Sequence, residues 1–224
     1  IDNKQAPGNT GQEGDHAVAV IGFRTRRGEV VTARVASSFI SPVQAMLNLE
    51  REIAGRGFDE VRDAARNRWN DELGRFRVEG GTDDRMRTFY STLYRTLLFP
   101  RMFYEFDDRG NIVHYSPYNG EVLPGRLFTD NGFWDTFRAA MPFITLFYPE
   151  VSSHIMEGLE NAYLESGWLP EWASPGHRDC MIGSNSASLI ADAYLKGIRG
   201  YNIYTLWSAL VNNTQGSGPV HSVG

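Results

Sequence analysis

The chain has 224 residues, of which 42% are hydrophobic and 22% charged, ordinary values for a folded soluble protein of one or two domains. A formal net charge of -5 argues against a nucleic-acid partner, and the one dense basic cluster, Arg24-Thr25-Arg26-Arg27, is too short to track a phosphate backbone and reads as a solvated turn. No apolar run approaches the roughly 20 residues of a membrane span, and the first residues lack the basic and apolar regions of a signal peptide, so no membrane partner is expected. The single cysteine, Cys180, has no internal disulfide partner and reads as a buried small hydrophobe.

The segment up to about His16 is rich in Gly, Asn, Gln and Asp and reads as a loop or frayed end. Ala17 to Phe23 and Val30 to Phe39 are apolar and β-branched, with Arg27-Gly28-Glu29 as a turn between them, a β-hairpin pattern. Ser41-Pro42 then supplies an N-cap and a first-turn proline, which predicts a helix running through Met46, Leu47 and Leu49 toward Gly55. A second helix is predicted over Phe58 to Leu73. A third covers Asp83 to Leu98, with Met86, Phe89, Tyr90, Leu93 and Leu97 on one stripe.

From Phe103 to Leu123, Tyr and Phe are scattered among Asp, Gly and Asn, which fits irregular strands or a long surface loop. Asn131-Gly132 breaks the chain. Apolar residues then recur at Phe133, Phe137, Ala140, Ile144 and Phe147, which predicts a helix over Trp134 to Phe147 with Pro142 as a kink. Further helices are predicted over Pro149 to Glu165, Ser186 to Gly197 and Tyr201 to Val211. Helices joined by short loops suggest a toroid or bundle, and there is no strong internal repeat or low-complexity tract.

Five motifs follow one another in order. They are Phe89-Tyr90-Ser91-Thr92-Leu93-Tyr94-Arg95-Thr96-Leu97-Leu98, Phe133-Trp134-Asp135-Thr136-Phe137-Arg138, Leu169-Pro170-Glu171-Trp172, Cys180-Met181-Ile182-Gly183 and Ile190-Ala191-Asp192-Ala193-Tyr194-Leu195-Lys196-Gly197. With Ser37-Ser38-Phe39-Ile40-Ser41 and Ala45-Met46-Leu47-Asn48-Leu49-Glu50 upstream, this order resembles the family-92 glycoside hydrolases over most of the chain.

That resemblance implies a calcium-dependent, exo-acting α-mannosidase that inverts anomeric configuration, acts on mannose-containing glycans, releases α-1,2-linked terminal mannose and is secreted or periplasmic. The implied fold is mixed: residues 1–40 as the end of an N-terminal β-sandwich, then residues 41–224 as the first helices of an (α/α)6 toroid. The helices are too few to close such a toroid, and Gly216-Ser217-Gly218-Pro219-Val220-His221 reads as a loop that leads nowhere, so the chain is expected to be a fragment. By the same analogy the catalytic acid and base lie beyond Gly224, and no calcium ligand set is visible within the chain. The rival reading is a carbohydrate-binding or inactive homologue that never had the acid and base.

Trp134 and Asp135 match the family motif whose carboxylate helps hold the terminal mannose. An aromatic face suits the C–H side of a pyranose, and a carboxylate accepts strong hydrogen bonds from its hydroxyls. The alternative for Asp135 is a first-turn acid favoured by the helix dipole. Phe133 and Gly132 are expected to shape the same wall, and Arg138, three residues on, can form an intrahelical ion pair with Asp135. Trp168 and Trp172 can stack on sugar or anchor packing. Glu171, a carboxylate between aromatics, is a tempting general acid that the family analogy argues against. Arg178 and Asp179 can bond sugar hydroxyls or pair with each other and fix their loop. This loop departs from the usual family pattern, with Ser184-Asn185 where a histidine normally follows Ile-Gly. His154 and His177 are isolated and read as structural. Asp192 has Lys196 four residues on, which reads as a surface ion pair, and the sequon at Asn212-Asn213-Thr214 carries no weight.

Overall fold

The computed structural model describes Gly8 and residues 18–178 and 180–215. The loops expected before His16 and over 216–221 lie, Gly8 apart, outside the described residues. The chain forms two compact units, one ending at Arg34 and the other beginning at Val35.

In the first unit the expected hairpin reduces to its turn. Glu29 N–H donates to Arg26 O at 3.0 Å, Arg26 N–H donates to the Glu29 carboxylate at 2.8 Å, and Gly28 takes the left-handed φ of 84° that this reversal requires. No strand flanks it among the described residues. Val18, Val20, Ile21 and Val30 are exposed, and two strands that bury no apolar face are marginal whatever their β-propensity.

The second unit mixes helices with short antiparallel ribbons. Its first helix, α1 (Pro42–Ile53), starts where predicted: Ser41 Oγ accepts Gln44 N–H at 3.1 Å, and Pro42 occupies the first turn, where its missing N–H costs nothing. Helices α2 (Phe58–Leu73) and α3 (Asp83–Thr96) follow, the latter capped by Thr82. The α3 stripe is only partly covered. Leu93 is buried, whereas Phe89 is exposed.

The stretch after α3 is sheet rather than loop. β1 (Arg101–Met102) pairs with β5 (Phe128–Thr129), and β2 (Glu105–Phe106), β3 (Ile112–Tyr115) and β4 (Val122–Pro124) form a meander in that order. Glu105 ties it to the start of α1, accepting from Ser38 Oγ (2.9 Å), Phe39 N–H (2.8 Å) and Asn48 Nδ2 (2.7 Å).

Next come β6 (Asn131–Gly132), α4 (Phe133–Thr136), α5 (Ala140–Phe147), α6 (Pro149–Ser166), β7 (Trp172–Ala173), α7 (Ser186–Leu195) and α8 (Ile203–Gln215). The single helix predicted over Trp134 to Phe147 is thus two. The break falls at Ala139 (φ -143°, ψ -57°), not at Pro142, which is the third residue of α5 and needs no helical N–H there. Gly167, at φ 81°, ends α6 just past the predicted Pro149 to Glu165 span. Residues from α4 through α8 build one core that includes Phe133, Met141, Ile144, Ile155, Leu159, Leu169, Ile190 and Leu206. Each such side chain contributes about 1.5–3 kcal/mol by leaving water. Cys180 is exposed, correcting its expected burial: it precedes α7 in a loop that the core does not reach.

Candidate functional site

The corner that carries Trp134 and Asp135 is held from behind by residues distant in sequence. Asp130 takes a left-handed turn at φ 57°; its Oδ1 accepts Ser174 Oγ–H at 2.8 Å, and its Oδ2 is bonded by the Arg101 guanidinium. The next two residues, β6, pair antiparallel with β7, placing Gly132 opposite Trp172. Phe133 N–H donates to Glu171 O at 3.2 Å. Asn131-Gly132 is therefore a strand, and the chain reverses at Asp130 instead.

Asp135 is exposed and forms no hydrogen bond or ion pair among the described residues. Trp134 beside it is 38% exposed. The ion pair that the spacing allowed between Asp135 and Arg138 is not made: the Arg138 guanidinium lies over the Trp134 ring, 4.1 Å from its centroid, and 5.0 Å from that of Phe137. A cation over an exposed ring gains about 0.5–1 kcal/mol, and an i,i+3 ion pair somewhat less. The two are close enough for geometry to decide. Phe137 keeps helical angles (φ -61°, ψ -25°), so the backbone permits the ion pair, and it is the direction of the Arg138 side chain, onto the indole, that leaves it unmade.

Gly132 fixes how closely the corner closes. A Cβ added there would lie 2.7 Å from Asp135 Oδ2 and 3.2 Å from the Trp172 ring, so the carboxylate and the indole converge on one point only because residue 132 has no side chain. Trp172 thereby joins Trp134 and Asp135. Phe133, expected on the same wall, is instead buried at 4% exposure in the core, and its side chain faces away from solvent.

Glu171, adjoining Trp172, is half-buried. Burial raises its carboxyl above the usual range, partly offset by a 3.3 Å hydrogen bond from Ser184 Oγ, while Oε2 has no partner among the described residues. Arg178 is exposed and serves its own loop, donating through Nε to Ser174 O (2.8 Å) and through N–H to Trp172 O (2.9 Å). Asp179 lies outside the described residues.

Both histidines with partners here are structural. His177 Nε2 is 2.9 Å from Ser166 Oγ, its ring is 4.7 Å from that of Tyr118, and burial pushes its pKa down to about 4. His114 gave no signal in the sequence. It is fully buried, with Nδ1 2.9 Å from Gly125 O and Nε2 2.8 Å from Glu165 Oε1, so both nitrogens face oxygens, an arrangement that favours the imidazolium. Burial would lower its pKa, but the Glu165 carboxylate and Gly125 carbonyl together outweigh burial and raise it.

A calcium site needs several convergent oxygen ligands. Among the described residues no group of three or more His, Cys, Asp or Glu side chains is placed to hold a metal, so these residues do not fit the calcium that the resemblance implies.

Residues 44–223 match the model of the glycosyl hydrolase family 92 catalytic domain, and the chain belongs to that family. It is 56% identical to a family GH92 inverting mannosidase of Bacteroides thetaiotaomicron, with a TM-score of 0.80, over 84% of this chain and 26% of that one. A GH92 α-mannosidase of the same organism, solved with mannoimidazole, is 27% identical with a TM-score of 0.73, over 81% of this chain and 24% of that one. An uncharacterized secreted glycosidase of Arthroderma benhamiae is 31% identical over 199 residues, 86% of this chain and 21% of the relative. The chain thus spans about a fifth to a quarter of the length of these relatives.

Proposed function

We propose that this chain is the mannose-holding part of an exo-acting, inverting α-mannosidase that removes terminal, α-1,2-linked mannose from glycans. The observation that carries this reading is Asp135, a carboxylate without a partner among the described residues, convergent with Trp172 and adjacent to Trp134. Such a group offers acceptor lone pairs to sugar hydroxyls while indole covers the apolar C–H face.

Inversion takes one displacement. A carboxylic acid protonates the leaving oxygen while a carboxylate about 6.5–9.5 Å away deprotonates the attacking water. Those two groups are assigned to parts of the protein outside this chain, in the remainder of an (α/α)6 toroid that follows a β-sandwich. Calcium dependence is part of the same proposal, its ligands also lying elsewhere. EGTA should abolish turnover by the full-length protein, and added calcium should restore it.

The deciding experiment is Asp135→Ala in the full-length protein, assayed on an aryl α-mannoside. A fall in kcat/KM of about 100-fold or more, with the melting temperature unchanged, is expected, since it removes a charge-assisted contact kept through the transition state. Near wild-type turnover would leave Asp135 as a surface acid and end the assignment. Mannose binding without turnover in the unsubstituted protein would mark a carbohydrate-binding homologue instead.

A further inference from the structure

We propose that Arg138 is a positioning residue of the sugar site: stacked on Trp134, it fixes the indole and withholds its own charge from Asp135, so that ring and bare carboxylate are presented together to one sugar. The proposal rests on the sugar-holding reading of Trp134 and Asp135 and adds a residue that touches neither the sugar nor the carboxylate.

Three observations carry it. The guanidinium lies 4.1 Å from the Trp134 centroid and 5.0 Å from that of Phe137, so one cation bridges two rings of the corner. Asp135, three residues before Arg138, has no ion-pair or hydrogen-bond partner among the described residues. The backbone does not force the pair apart: Phe137 keeps helical angles (φ -61°, ψ -25°) between them, so Arg138 stands at the i,i+3 spacing from Asp135 and is nonetheless directed onto the indole.

The chemistry follows from counting acceptors. A carboxylate has about four lone-pair directions, and a bidentate guanidinium occupies two of them in a fixed plane. A paired Asp135 would meet a sugar with half its capacity and with its charge neutralised. Diverting Arg138 onto the indole leaves that capacity intact. Trp134 is still 38% exposed with the cation in place, so the stack orders the ring without covering it. An ordered ring loses less entropy when a ligand docks.

The test uses the full-length protein with Arg138→Leu and Arg138→Lys, assayed for KM and kcat on an aryl α-mannoside and for mannose binding by calorimetry. Arg138→Leu should raise KM and weaken mannose binding about tenfold with kcat within about twofold, because the loss is one of presentation rather than of transition-state contact. Arg138→Lys, which keeps a cation but not the planar stack, should fall between. A second readout is independent of turnover. The emission of Trp134, isolated as the difference between proteins with Trp134 and with Trp134→Phe, should become more accessible to acrylamide in Arg138→Leu.

Raised KM with unchanged quenching would mean that Arg138 touches the glycan itself, and would overturn the positioning role. So would unchanged KM with increased quenching. If the unsubstituted protein binds no mannose, the sugar reading of Trp134 and Asp135 fails, and the presenting role of Arg138 fails with it. If mannose binds and Arg138→Leu changes nothing, only the Arg138 assignment fails.

Discussion

The corner around Asp135 and the junction around Glu165 use the same chemistry, a carboxylate with a cationic side chain and aromatics nearby, and leave it in opposite states. At the junction the carboxylate is spent: Glu165 meets a fully buried His114, whose other nitrogen meets Gly125 O. At the corner the nearby cation is turned away onto Trp134, and Asp135 has no partner among the described residues. Burial explains the difference. A buried charge without a partner is costly, so His114 and Glu165 are locked together, whereas an exposed carboxylate is solvated and can be left for a ligand. An interior pair contributes to structure, and an unpaired surface acid keeps its capacity to bind.

The largest effect that would break this comparison is on stability. Glu165→Leu strips the buried imidazolium of its counter-ion and should destabilise by about 3 kcal/mol, seen as a lowered urea midpoint of the full-length protein. Asp135→Ala should leave that midpoint unmoved while losing activity. Equal midpoint losses would show that the two carboxylates are both structural.

The pH dependence sharpens the contrast between His114 and His177. The folded pKa of His114 is raised, so its stabilisation is fully present below the unfolded value of 6.5 and is lost as pH rises through the folded value. His177 behaves oppositely. Its folded pKa is lowered to about 4, so the native state resists a proton that the unfolded chain accepts, and stability is lost as pH falls from 6.5 toward 4. Melting temperatures measured against pH should decline on both sides. Glu165→Gln should flatten the alkaline limb and His177→Phe the acid limb; a limb unchanged by its substitution would refute that histidine's part.

What the sequence disclosed was local, and what it hid was not. Ser41-Pro42 announced α1 because an N-cap and a first-turn proline act within one turn, and Phe58–Leu73 was readable to its ends as α2. Proline misled at 142 because its position relative to the helix start, rather than its presence, decides whether a helix kinks. Trp134 and Asp135 were visible as a motif. The convergence of Trp172 was not, because it depends on a two-residue ribbon between β6 and β7, segments far apart in the chain. Phe133 was misassigned for a related reason: next to Trp134 in sequence, it points into the core, since neighbours on a helix do not share a face. The hairpin over 17–39 had the composition of strands, and composition does not supply the surface that would bury them.

The smallest predicted effect falls on Gly132. Its φ of -94° is open to any residue, so an alanine there causes no backbone strain, and what it meets is the pair of side chains that close over it. The new Cβ would lie 2.7 Å from Asp135 Oδ2, the free end of a side chain that can swing aside, and 3.2 Å from a Trp172 ring carbon, which has to give by a few tenths of an ångström. Gly132→Ala should therefore cost about 1 kcal/mol of stability, an ordinary value for a point substitution, although the residue is buried. Its effect on function should be larger in proportion: KM for an aryl α-mannoside rising about fivefold, since displacing a positioned group weakens the binding it supplies. In an Asp135→Ala background the same substitution should add almost nothing, because the carboxylate it displaces is already gone. Full additivity of the two would mean that Gly132 acts through Trp172 or the β6–β7 ribbon, and that the meeting of carboxylate and indole at this glycine has no bearing on sugar binding.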